Sequence, residues 1–113
     1  MGRPEDHVLA SARTIQRRLD ELYEAVDGSP EPGSALDQAG LRDGLDIVEE
    51  YLRHGELGIA VEHVVYMVVE SELELPKSEL HALASLCSAH GVEVDGWPAP
   101  ADGDSRCRTA DPP

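Results

Sequence analysis

Phenylalanine is missing from this sequence, and aromatic residues fill only 4% of its 113 positions. A core must then be assembled from Leu, Val, Ile and Ala, which favours helix packed on helix over a roomy interior that encloses a ligand. Cations are scarce too: nine Lys and Arg stand against 23 Asp and Glu, for a formal net charge of -14. That balance argues against direct nucleic-acid binding, which needs Lys and Arg against phosphate, and against an anionic membrane surface. There is no apolar stretch long enough to span a bilayer and no apolar signal core behind Met1 to Asp6. A cytoplasmic location with reduced thiols is therefore expected, and Cys87 and Cys107 do not form a disulfide framework.

What is present is helical periodicity in a chain the size of one domain. Over residues 5–26, Leu9, Ala12, Ile15, Leu19, Leu22 and Val26 recur at spacings of three and four, predicting one apolar stripe. Arg13, Arg17 and Arg18 lie off it, in reach of Asp20, Glu21 and Glu24. Residues 28–34 carry Pro30 and Pro32 and read as a loop. A second helix is predicted over residues 35–54, with Leu41, Leu45, Val48 and Leu52 on one face and Asp37 as a cap or first-turn residue. Gly40 and Gly44 weaken it, and Gly55 stops it.

Residues 56–71 are apolar almost all round, interrupted by Glu62, Tyr66 and Glu70 at spacings of four. This is the pattern of a central helix. The β-branched run at 64–69 also suits a buried strand, whose alternation would place the same three residues on one face. Pro76 fits the opening turn of a fourth helix with Leu80, Leu83, Ala84 and Cys87 as its stripe, ended by His90 and Gly91. Val92 and Val94 read as a short extended arm, with Trp97 near its end. The fold class expected is all-α: a bundle of about four helices over residues 1–97, followed by a disordered tail over 98–113.

Five histidines and two cysteines prompt a search for chemistry. Cys87 and His90 are neighbours on one helix, but no second pair stands at a spacing that completes a zinc site; a buried thiol and a helix-end histidine account for them. His54, Glu56, Glu62 and His63 cluster at a helix junction, as carboxylates and histidines do by chance in so acidic a chain. No phosphate-cradling loop, nucleophile elbow or paired-cysteine motif occurs. The expectation is a binding protein with no catalytic residue, no metal and no cofactor.

The acidity is unevenly placed. Residues 1–27 hold six acids and four arginines, 28–55 six acids and two arginines, and 56–75 five acids and no cation. The functional reading is a docking face on the second and third helices for a basic surface, since complementary fields speed encounter and select partners. A solvated helix face is the plainer alternative.

The run Gly55-Glu56-Leu57-Gly58-Ile59-Ala60-Val61-Glu62 resembles the core motif of the MafI-type immunity proteins of bacterial polymorphic toxin systems. That pattern is a helix end, then Glu, apolar, Gly, apolar, Ala, apolar, Glu. Residues 73–79 and the helix after them are similar to that family's second half, so the likeness spans about 37–93. It departs at 64–69, where leucine is commoner.

The resemblance implies an immunity protein that neutralises a cognate basic toxin domain, a nuclease in the first instance, by stoichiometric binding. It also implies a few buried anchors ringed by charge, with Tyr66 between Glu62 and Glu70 as the candidate anchor or, alternatively, a core tyrosine with a surface hydroxyl. The partner-binding set is Asp43, Asp46, Glu49, Glu50, Glu56, Glu62, Tyr66, Glu70 and Glu72. An acidic adaptor or antitoxin-like regulator, and an enzyme with a cryptic site, are the competing readings.

Overall fold

A computed structural model describes residues 3–94 of the chain. The predicted disordered tail (98–113), Trp97 and Cys107 lie outside the described residues. Four helices make up the described part, with no strand among those residues: α1 (Pro4–Ala25), α2 (Gly44–Arg53), α3 (Leu57–Glu70) and α4 (Lys77–Ala89). The run at 64–69 is helical. Val64, Val65 and Val68 are buried and Val69 is half-buried, because α3 packs against all three other helices, a setting that rewards apolar bulk and overrides β-branched preference.

The helix ends share one device. After each helix the chain enters the left-handed region, at Asp27, Gly55, Glu72 and Gly91. The next residue then reaches back to the carbonyl of the last turn: Gly28 to Tyr23, Glu56 to Tyr51, Leu73 to Val68 and Val92 to Cys87. These are Schellman closures, which satisfy carbonyls that would otherwise lack donors. Glycine at 55 and 91 makes two of them readable from sequence, whereas Asp27 and Glu72 adopt a conformation that side chains resist.

Two sequence expectations are corrected by the packing. The buried face of α1 is Val8, Ala12, Ile15, Gln16, Leu19 and Tyr23, rotated from the predicted stripe. Leu22 and Val26 are left exposed and Leu9 half-buried. Tyr23 wins the inner place because its hydroxyl donates to the Leu36 carbonyl at 2.8 Å and its ring stacks under the Arg42 guanidinium, 4.3 Å away. Burial pushes the Tyr23 pKa up.

The second correction is that residues 35–43 are turns, and helix begins only at Gly44. Asp37 closes one of those turns, accepting from the Gly33 amide at 2.8 Å. Leu41 is nevertheless fully buried, and side chains from α1 hold its backbone in place. Gln16 donates to the Leu41 carbonyl at 3.1 Å and accepts from the Leu45 amide at 2.8 Å. Its carboxamide stands in for helical hydrogen bonds that the segment does not make itself.

α2 and α3 form a helical hairpin joined by residues 54–56. At Gly44 the two helices come close enough that an added Cβ would run into Met67 Cε and Sδ. Met67 is itself fully buried, so it has no free space to retreat into. α4 packs on α3 and α1 through Leu83 and Cys87. Arg18 clamps it from α1, donating from Nε and Nη2 to the two carboxylate oxygens of Glu79 at 2.8 and 2.6 Å. This bond raises the Arg18 pKa and takes Arg18 across to α4, where a partner on α1 itself was expected. Val92 and Val94, the predicted arm, are half-buried and pack against the core.

Gln16→Leu is expected to lower unfolding free energy by about 2–3 kcal/mol, because it leaves a buried carbonyl and amide unpaired; urea denaturation measures it. Gly44→Ala is expected to cost about 1–2 kcal/mol despite its better helix propensity, because overpacking outweighs that gain. The cost should shrink in a Met67→Val background, which removes the obstructing atoms, and a double-mutant cycle reads the coupling.

Candidate functional site: an acid-rimmed groove on α3

Because α3 is buried on most sides, only one stripe of it meets solvent with polar groups. Glu62, Tyr66 and Glu70 stand one turn apart along that stripe. They line a groove with Val65 and Val69 from the same helix and Val92, Glu93 and Val94 from the arm after α4. Valine side chains and the Tyr66 ring supply an apolar lining. Glu62 and Glu70, both exposed, stand on one side and Glu93 on the other.

Tyr66 is half-buried and already engaged. Its hydroxyl donates to the Ala39 carbonyl at 2.5 Å, and its ring stacks on His63 with centroids 5.2 Å apart. His63 Nε2 lies 3.0 Å from the Gly40 carbonyl. A carbonyl can only accept, so Nε2 carries the hydrogen. Both side chains thus secure residues 39–40 to α3. Gly40 has φ +85°, and a Cβ there would lie 3.2 Å from His63 Cε1.

The other sequence-predicted residues are dispersed. Asp43 is the N-cap of α2, without a side-chain capping bond. Asp46 is exposed in the first turn and Glu49 is half-buried. Glu50 forms an ion pair with Arg53 of its own helix, and His54 Nδ1 lies 3.0 Å from the Glu50 backbone carbonyl. Glu56 is the exposed N-cap of α3. Glu72 belongs to a different hollow, with Arg18, Glu21, Leu22, Leu73 and Glu74.

With His54 turned to Glu50 and His63 to Gly40, the junction cluster of histidines and carboxylates is divided. Among the described residues no three His, Cys, Asp or Glu side chains gather as a metal-holding group. Cys87 is buried, and that burial raises its thiol pKa, which disfavours the reactive thiolate.

Sequence reasoning missed the second wall of the groove. The alternation Val92-Glu93-Val94 after a glycine stop was its signal: an extended arm with valines inward puts the intervening glutamate outward.

No protein-family model, curated protein or solved structure matches the chain. Among the described residues no helix is long and apolar enough to cross a membrane.

Glu72→Gly should raise stability by about 1 kcal/mol, since glycine adopts the left-handed closure of α3 without a Cβ conflict. An unchanged or lower urea midpoint would contradict the strain assigned to this position.

Proposed function

We propose that this chain is an immunity protein that binds a basic toxin domain stoichiometrically and inhibits it without turnover or cofactor. The observation that carries the reading is the α3 groove: apolar lining from Val65, Tyr66, Val69, Val92 and Val94, with Glu62, Glu70 and Glu93 around it. Apolar centres with charged surrounds are how protein interfaces divide affinity from selectivity. A net charge of -14 makes the preferred partner basic. A nuclease toxin meets that description, because its active site must hold phosphates; carboxylates can stand where phosphates would.

The resemblance of residues 55–62 to the immunity motif supports the same reading. Residues 55–62 run from the turn after α2 into the first turns of α3. Asp46, Glu49 and Glu56 extend the negative field and steer encounter more than they anchor it.

Glu62→Lys combined with Glu70→Lys should leave helical content and melting unchanged, since both positions are exposed, and abolish protection of cells expressing the toxin encoded by the adjacent reading frame. Co-purification of the two products should weaken as salt rises. Normal protection by this double variant, with loss on charge reversal at Asp43 and Asp46, would move the interface to α2. Failure of the chain to co-purify with any neighbouring toxin product, while binding a promoter-linked regulator, would favour the adaptor reading.

A further inference from the structure

Leu22 and Val26 were expected in the core, yet each is 39% exposed. Leu22 stands in the last turn of α1 and Val26, four residues on, is the C-cap of that helix. Leu22 lines the second hollow together with Leu73, which is 4% exposed, and with Glu21, Glu72 and Glu74. Arg18, the hollow's cation, is held by both oxygens of Glu79. Three carboxylates therefore surround a small aliphatic centre with no unpaired positive charge among the lining residues. Scattered exposed leucines are ordinary, but an aliphatic pair beside a carboxylate-lined hollow has the make-up of a contact surface.

We propose that this hollow docks a basic segment of another protein that carries an aliphatic side chain between lysines or arginines. The aliphatic group packs on Leu22 and Leu73, and the cations meet Glu21, Glu72 and Glu74. A second copy of this chain does not suit the site, because a two-fold contact would oppose three carboxylates with three more. The proposal rests on the chain being a binder of basic partners, but it concerns a different surface from the α3 groove. Glu70 lines one hollow and Glu72 the other, with buried Ser71 between them, so the two flank the C-terminal end of α3.

Titration of the full, isotope-labelled chain with a short amphipathic Lys–Leu peptide, followed through amide chemical shifts, tests this. Shifts should concentrate at Leu22, Val26 and residues 72–74. Affinity should exceed that for a Lys–Ser peptide of equal charge by about tenfold and fall by a similar factor in Leu22→Ser, which removes the aliphatic contact without changing charge. That position already meets solvent, and an unchanged circular dichroism spectrum verifies that the variant folds. Equal affinity for the two peptides, shifts confined to the Glu62–Glu70 groove, or absence of binding overturns the proposal. So does a doubling of mass in sedimentation that Leu22→Ser abolishes, which would seat a second copy there. The peptides involve no toxin, so failure of this site and failure of the immunity reading are separately visible.

Discussion

The bundle depends on one buried carboxamide. Residues 35–43 must cross from the loop after α1 into α2 without forming helix, and Leu41 must still reach the core. Backbone groups in such a crossing are a liability unless something supplies donors and acceptors. Gln16 supplies one of each, to Leu41 and Leu45, and Tyr23, His63 and Tyr66 take hold of the carbonyls of Leu36, Gly40 and Ala39. Side chains from α1 and α3 thus position the start of α2, and through it the close approach of Gly44 to Met67. The α3 groove inherits its rigidity from this arrangement, since Tyr66 is both a tie to the crossing and part of the groove lining.

Regular, strongly patterned segments were legible. The apolar surround of residues 57–70 announced a central helix, and glycine at 55 and 91 announced two of the four helix ends. The rotation of α1 was not legible, because periodicity weighs Leu22 above Tyr23 and cannot see that a tyrosine will find a carbonyl and a guanidinium in the crossing segment. The late start of α2 escaped for a related reason. Residues 35–43 have a tolerable helical pattern, and what defeats it is distant: a glutamine on α1 offers better hydrogen bonds than a helix weakened by Gly40. The ends of α1 and α3 were read to within a residue from the loop residues that follow them, although Asp27 and Glu72 carry no glycine to announce the left-handed closure.

For the candidate site, the Glu62–Tyr66–Glu70 stripe was readable and stands in one groove, while the wider acidic set is spread over α2, the turn into α3 and a second hollow. Counting charge along the chain cannot tell a carboxylate beside an apolar groove from one, like Glu50, that is occupied by its own helix neighbours. Nor can it anticipate that Glu93, far along the chain, closes the groove from the other side. Charge supplies the sign of a partner, and the disposition of apolar side chains between the charges decides where contact has most to gain.

The burial of α3 also has a consequence for how such a protein diversifies. Ala60, Val61, Val64, Val65, Met67 and Val68 are committed to the interior, so a change at any of them is answered by three neighbouring helices. Whereas Tyr66 is tied to the crossing by its hydroxyl and by its stacking on His63, positions 62 and 70 are answered by fewer, since both face solvent. A lineage adapting to a new partner could rewrite those letters while the scaffold stands still. The same helix would thus hold its most constrained and its most negotiable positions within a few ångströms of each other.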